Sequence, residues 1–416
     1  MDIPLYSVFL QALTQLFPTL GPDRGGLAWS DLDFITTNVW RVAETAQSGR
    51  DFVQQMPALG LPPPSVKVYF DTLRSPRRLH RVQQVQAALF QELQRGLGTL
   101  RDRLAAFPEL AGRQVWAADG HAIEHATHDA PRRSSHGTWV RDPSHGIFAL
   151  DLRTGLARVL AQCPGREHEI KTLKRADARQ WGPKGTLGIY DPALIDFRYW
   201  YVLKQTFGVY IISRWKANLQ PVHAIDLDWD RQDPRNAGIL AVQRVGFNNS
   251  GESRKIVYQD PETHLVYEFL TSDMTLPPGV IVQLYRLRWD IEKVFDVFES
   301  KFQETKAWAS TDTAKRMQNE FIVMAFNLML ALAGKLEREE GITDVKVARK
   351  YTGWMQHREA QAQAQQRSVS PWVKVLRRAT QLSLQFIRWL RNHLRSRTPY
   401  AKAVVLLRPL MLAYLR

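Results

Sequence analysis

A chain of 416 residues, 44% hydrophobic and 23% charged, is long enough for two or three folding units and apolar enough for a sizeable core. Its 56 Lys and Arg against 41 Asp and Glu give +15, which points to a polyanionic partner, nucleic acid first, and argues against a neutral substrate such as a glycan. One cysteine, Cys163, excludes an internal disulfide framework and fits a reducing interior.

The first residues, MDIPLYSVFLQALTQLF, lack the cationic opening of a secretory signal, so none is expected. Residues 1–110 read as helices with a break at the proline cluster LPPPS (61–65). Beyond it, LRSPRRLHR (73–81) brings together Arg74, Arg77, Arg78 and Arg81, which either reach phosphates or form a solvated helix start. The following QQVQAALFQELQRGL has the periodicity of an amphipathic helix.

From Arg113 the pattern changes. RQVWAADG alternates and ends in Asp–Gly, and GIFALDL, GLARVLAQ and GTLGIYD (185–191) follow as short strands. A helix over 194–206 leads into GVYIISRWKAN (208–218), which makes a strand–helix–strand unit and a mixed α/β domain. Residues 221–279 carry short strand-like runs, ILAVQRV, RKIVYQD and LVYEFL, separated by turn signals, and read as an all-β insertion. A long helix is expected after LPPGV (276–280), and a second near FIVMAFNLMLALAGKL, apolar nearly all round, belongs in the core. No apolar run approaches the roughly 20 residues of a membrane span; the run near Val404–Leu415 is broken by Arg408 and Pro409.

The charge gathers at the end of the chain. From Val345 to Arg416 there are 15 Lys or Arg against one acid, Glu359, a net of +14. Because Trp354, Trp372, Phe386, Ile387, Trp389 and Leu390 in this stretch call for burial, it reads as a helical, partly folded module with a cationic face. AQAQAQQ (360–366) is either helix or linker.

Within YRLRWDIEKVFDVFES, Val280, Leu284, Leu287, Ile291, Phe295, Phe298 and Phe302 recur at helical spacing, and Tyr285, Arg288 and Glu292 form a second stripe beside them. Alone this is an ordinary salt-bridged core rim. Asp119, expected to end the strand VWAAD, and Asp191, expected to end LGIYD, add two acids at strand ends. Three clustered carboxylates repel one another unless cations neutralise them, and Mg²⁺ suits a site of oxygen ligands.

These residues carry a resemblance. YRLRWDIEKVF (285–295) fits the Y-x2-R-x3-E signature of DDE transposases of the insertion-sequence-four family, whose relatives include the Tn-five and Tn-ten transposases. KAWASTDTAKRMQNEFIVMAFNLML (306–330), ADG (118–120), IYDPALIDFRYW (189–200) and the R-x-K of Arg214–Lys216 resemble the same family, over about Arg113–Gly334. The resemblance implies a ribonuclease-H-like core, a metal-bound triad of Asp119, Asp191 and Glu292, two Mg²⁺ ions for which Mn²⁺ substitutes, and DNA strand transfer. It implies phosphate contacts from Tyr285 and Arg288 and tracking of the DNA backbone by Arg214 and Lys216. The division that follows is a DNA-binding helical region (1–110), a catalytic core in two parts (111–220 and 280–345), the β-insertion (221–279) and a basic helical region (346–416). The implied partners are transposon-end DNA and target DNA, with a homodimer on DNA and no membrane, in a cytoplasmic, nucleoid-associated setting. One position departs from the signature: Glu299 stands where the family has Lys, seven residues after the Glu. That departure favours a domesticated DNA-binding descendant as the competing reading.

Other candidates read more plainly. Six of the 11 histidines fall between His121 and His168, but His121, His125 and His128 match no strong zinc spacing and are assigned to loops and surface, with His121 a possible neighbour of the acids. Trp229, Phe247, Tyr258, Tyr267 and Phe269 are assigned mainly to core, Trp229 being the most exposed by its neighbours and a candidate to stack a flipped base. Asp151 and Asp196 are the reserve acids.

Overall fold

Serines start three of the N-terminal helices. The computed structural model describes residues 3–21, 29–45, 48–61, 63–98, 102, 104–163, 167–176, 182–248, 250–341, 344–370 and 378–414. It opens with α1 (Leu5–Leu16), α2 (Asp31–Glu44), α3 (Gly49–Gln55), α4 (Val66–Leu73) and α5 (Pro76–Gly98). The hydroxyls of Ser30, Ser48 and Ser65 accept from the backbone N–H three residues on and cap α2, α3 and α4. The proline break falls between α3 and α4, as expected.

The arginine run at the start of α5 does neither of the things expected of it. Arg77 makes a two-pronged bond to Asp31, at 2.7 Å on each arm, and Arg78 donates to the carbonyls of Trp29 and Ser30. Arg81 donates to the carbonyls of Leu20 and Gly21, and only Arg74 stands outside, exposed beside Asp71. Three of the four cations are therefore turned inward, fastening the chain before α2 onto α5.

Eleven strands follow among the described residues: β1 (Val115–Ile123), β2 (Arg132–Arg133), β3 (Trp139–Val140), β4 (Ser144–Asp151), β5 (Ala157–Cys163), β6 (Leu187–Tyr190), β7 (Tyr210–Arg214), β8 (His223–Asp226), β9 (Ile239–Phe247), β10 (Ser250–Gln259) and β11 (Val266–Thr271). Nine of them form one mixed sheet in the order β5-β4-β1-β6-β7-β11-β10-β9-β8, with β1, β6 and β7 parallel and the flanking pairs antiparallel. The helix α6 (Glu169–Arg175) precedes β6, and α7 (Phe197–Val202) with the turn after it carries the crossover from β6 to β7. The segment 221–279 does not stand apart as a separate β block. β11 pairs with β7 through Phe269↔Arg214 and Leu270↔Ser213, so its strands lengthen the same sheet. Its aromatics are core or rim: Tyr258 and Phe269 are buried, Phe247 stacks on Phe197 at 3.7 Å, and Trp229 is half-buried under Arg231.

The helices α8 (Pro278–Leu287), α9 (Asp290–Asp296) and α10 (Asp312–Glu339) return the chain to the sheet. Every residue from Met317 to Met329 is buried. Length and composition would let α10 cross a membrane, but 78% of its apolar window is covered by the fold, against α1, α2, α5 and β5. One of its buried polar positions, Asn327, exchanges both hydrogen bonds with the backbone of Ala157, at 2.8 and 2.9 Å.

The basic end forms α11 (Asp344–Ala364), which absorbs most of the AQAQAQQ stretch, then α12 (Arg378–Arg395) and α13 (Tyr400–Tyr414). α12 buries Phe386, Ile387, Leu390 and Leu394 against α2, α9 and α10. At roughly 1.5–3 kcal/mol for each large apolar side chain, that burial fixes the helix to the core rather than leaving a tethered arm. Trp389, expected inside, is 38% exposed, Trp354 is half-buried, and Trp372 lies outside the described residues. One continuous hydrophobic core joins α1 to α13 through the sheet.

Candidate active site

β1 and β6 run parallel and end their pairing at Ala118↔Tyr190. Asp119 and Asp191 are the next residue on each chain, so the parallel register sets two carboxylates side by side. Asp191 leaves the sheet and accepts from the backbone N–H of Ala193, starting a short helical turn whose first residue is Pro192. Asp119 does not end its strand as expected. β1 runs on to Ile123 in antiparallel pairing with β4, with Asp119 opposite Phe148.

The third acid comes from the other side. The expected single helix is interrupted at Arg288–Trp289, where short-range bonds (Arg288 N–H to the Tyr285 carbonyl, Ile291 N–H to the Arg288 carbonyl, both 3.1 Å) tighten the turn between α8 and α9. After α9 the backbone widens into a π turn over Val297–Lys301. Arg288, at the kink, reaches the strand. Its two terminal nitrogens divide between Asp119, at 2.7 Å, and Glu292, at 2.9 Å. Arg288 is buried, while Asp119 is 20% and Glu292 36% exposed at the side chain, so the cluster opens toward solvent on the acid side.

Burial raises the Asp119 pKa to about 6; Arg288 and the Gly120 N–H pull it down, and the neighbouring charges of Asp191 and Glu169 push it up. Arg288 is held above its ordinary value: burial works against its charge, but Tyr285, Asp119, Glu292 and Asp191 together outweigh that. Tyr285 is half-buried, 5.3 Å from Phe269 between ring centres, with its phenol pushed up to about 12 by burial. Arg214 is exposed at the end of β7 and close enough to Tyr285 to act on it; Lys216, two residues on, is half-buried. Thus the two strand acids, Glu292, Arg288, Tyr285 and Arg214 lie in one neighbourhood. Each terminal nitrogen of Arg288 gives one hydrogen bond to an acid, and its Nε has no partner among the described residues.

Glu169 and His145 escaped the sequence reading. Their side chains pair at 2.8 Å across Gly120. A Cβ at Gly120 would stand 2.1 Å from the Glu169 carboxylate and 2.5 Å from the His145 ring, so only glycine admits the pair. The glycine after Asp119 was the available signal, read there only as a turn former. The reserve acids have structural work: Asp151 accepts from Gln94 and Thr154 at the β4 turn, and Asp196 caps α7 by accepting from Tyr199. His121 is stacked on Phe295 at 4.6 Å, and burial, with His145 nearby, lowers its pKa to about 4. Glu299 lies 3.8 Å from that neutral ring, so the contact does not neutralise its charge.

Residues 110–328, more than half of the chain, match the family model of the transposase DDE domain. The chain belongs to the DDE transposase family. No curated protein matches it. Transposases of this family act on DNA, and their nuclease-type chemistry generally uses divalent metal. The site's donors are compatible with that: they are carboxylate oxygens, suited to a hard cation, and burial holds the Asp119 pKa up despite Arg288. No three potential metal-binding side chains form a ready cluster among the described residues, which agrees with Arg288 standing between Asp119 and Glu292.

Proposed function

We propose that the chain is a cut-and-paste transposase of the insertion-sequence-four kind, related to the Tn-five and Tn-ten enzymes and built on a ribonuclease-H-like core. The observation that carries this reading is the gathering of Asp119, Asp191 and Glu292, from two adjacent parallel strands and a helix, about the single guanidinium of Arg288. The proposed division keeps 1–110 as a DNA-binding helical region, 111–220 and 280–345 as the core, 221–279 as an insertion within its sheet, and 346–416 as a basic helical region.

Asp119, Asp191 and Glu292 would hold two Mg²⁺ ions, or Mn²⁺ in their place. Bound there, the cations would supply Lewis acidity for attack on a phosphodiester, first by water at the transposon ends and then by the freed 3′-hydroxyl on target DNA. The protein's part is positioning. The parallel register holds two carboxylates together, and Arg288 keeps Asp119 and Glu292 aligned and partly neutralised before DNA enters. Tyr285 and Arg288 would then meet phosphates near the cut, with Arg214 and Lys216 along the backbone beyond. Binding of both transposon ends implies a homodimer on DNA, in a cytoplasmic, nucleoid-associated setting away from membranes.

A second reading, a domesticated descendant that binds DNA without cutting it, is favoured by the uncompensated carboxylate of Glu299. One experiment separates the two. The chain is incubated with Mg²⁺ and DNA carrying the imperfect inverted repeats that flank its own coding region. Wild type should cleave the ends, and Asp191→Asn or Glu292→Gln should abolish cleavage while leaving end binding largely intact. End binding without cleavage by wild type selects the second reading.

A further inference from the structure

On the opposite face of β1 from Asp119 lies a cavity of about 840 Å³ between α5, β5 and α10. Trp116 lines it, and residues three apart on a strand point to opposite faces, so its ligand would not meet the catalytic acids. Its wall carries Arg158, whose guanidinium lies 4.1 Å over the Trp116 ring. Among the described residues, Nε and Nη2 of Arg158 find no hydrogen-bond partner, nor do Oε2 of Glu320 and Nε2 of Gln86 on the same wall. Glu320 and Gln86 are only 5% and 7% exposed. Buried polar groups in native proteins are satisfied as a rule, and each that is not costs on the order of 1–3 kcal/mol.

Unpartnered atoms on three side chains around one open volume, with the other Glu320 contact going to Gln83, are a cost that a polar ligand would remove with modest side-chain movement. Charge narrows the ligand. Arg158, Arg175, Arg316 and His80 line the cavity, and Glu320 is the only acid among the described lining residues. Burial raises Glu320 to about 8, which leaves it protonated and able to donate at neutral pH. Burial also lowers Arg158 to about 10, which still leaves it charged. The wall therefore offers cations and donors to an anion. The volume narrows it further, because about 840 Å³ lies in the range of organic-ligand sites and far exceeds a bare oxyanion. Seven glutamines in the lining favour a body rich in donors and acceptors over a hydrocarbon.

We propose that this cavity is a second ligand site, which takes a phosphate-bearing ligand of nucleotide size, free or as one residue of a nucleic-acid strand, with its phosphate on Arg158. Arg316 at the exposed rim adds charge, and the glutamines of α5 meet the base and sugar.

The test is equilibrium binding to the full chain in EDTA, which removes any affinity owed to metal at the acid cluster. The probes are deoxyadenosine monophosphate, a single-stranded tetranucleotide and inorganic phosphate. Binding of the mononucleotide, or of the tetranucleotide alone, supports the site and identifies its source as free or strand-borne. Arg158→Met should weaken that binding at least about tenfold, as expected for losing a charge-assisted bond. Because its Nε and Nη2 serve no protein partner, this change strands no buried acceptor there, and a thermal melt checks the fold. Arg316→Ala, at an exposed position, should weaken binding about threefold and carries the test if Arg158→Met does not fold. The proposal is overturned if no probe binds, if inorganic phosphate binds as tightly as the nucleotides, or if affinity is indifferent to both substitutions. Because the readout is binding without metal, its failure leaves the catalytic reading standing, and loss of the catalytic reading leaves this site standing.

Discussion

Asp119→Asn should make the metal-free protein relatively more stable as pH rises, while abolishing its proposed activity. The Asp119 pKa is raised in the folded chain to about 6 from 3.8, so the folded state holds the proton more tightly than the unfolded one. The sign follows from that. Below pH 3.8 both states are protonated and nothing is lost; as pH rises toward 6 the unfolded chain releases its proton first, and the native state is penalised. Above about pH 6 the penalty is complete, at about 3 kcal/mol by 1.36 kcal/mol per pKa unit, an order-of-magnitude figure for a mostly buried side chain. Asn cannot ionise, so it escapes this term. Its fixed costs, such as a weaker bond to Arg288, are nearly independent of pH and cancel when the two proteins are compared across pH. Urea unfolding in EDTA should therefore show the stability of Asp119→Asn minus that of wild type growing by about 2 kcal/mol between pH 4.5 and pH 8. Adding Mg²⁺ at pH 8 should then raise wild type more than the variant, since a ligand that binds only the native state stabilises it. Parallel stability curves in EDTA would refute the account of Asp119 as a carboxylate held against its preference.

Gly120→Ala should disrupt the site, because its Cβ would stand 2.1 Å from the Glu169 carboxylate; cleavage should fall by at least about tenfold, and unchanged cleavage would show that the pair at Gly120 moves aside freely. Glu299→Lys should raise affinity for a pre-cleaved end at low salt by a swing of about 1–2 kcal/mol, a gain that shrinks as salt rises; no gain at low salt would mean that the DNA does not pass Glu299. Joint replacement of the exposed Arg388, Arg397 and Lys402 by Gln should lower the slope of log affinity against log salt by about 0.9 for each phosphate that these cations neutralise in the wild type, and an unchanged slope would remove the C-terminal helices from the DNA footprint. Substitution is the better test here than deletion, since removing α12 would expose Phe386, Ile387, Leu390 and Leu394.

Much of the sheet was legible because its strands announce themselves by period and punctuation. VWAAD, GIFALDL, GTLGIYD and GVYIISR all fall on strands, and α10 lies in the core because its apolar residues leave no polar face. What the pattern could not give was pairing. The strands of 221–279 look self-contained in one dimension, but β11 pairs with β7 through a register set by neither strand alone. The arginines of α5 failed for a related reason. A run of cations is read as a surface until something buried is there to receive it, and the receivers are Asp31 and the carbonyls of residues 20, 21, 29 and 30, some 50 to 60 positions away. The strongly basic C-terminal region is likewise partly spoken for: Arg358 pairs with Glu262, Arg408 with Glu340, and Arg391 is 7% exposed.

At the acid cluster, the structure brings Asp119, Arg288 and Glu292 together and pairs Arg288 with both acids. Tyr285, Arg288 and Glu292 were expected on one regular stripe at the rim of the buried face, with Arg288 implied to contact phosphate. The helix is interrupted by a tightened turn at Arg288–Trp289, and the guanidinium lies between Asp119 and its i+4 neighbour Glu292. The reason is electrostatic. Asp119 is largely buried at the middle of β1 with Asp191 and Glu169 nearby, and a carboxylate so placed takes the nearest cation it can reach. Arg288 supplies that charge here, and under the proposed function a metal held by the same acids would share its role. The residue expected to grip DNA is thus also the one that holds the acids ready. Glu299 lies beside a neutral His121, and no cation pairs with it among the described residues, so the negative field along β1 extends beyond the three acids themselves.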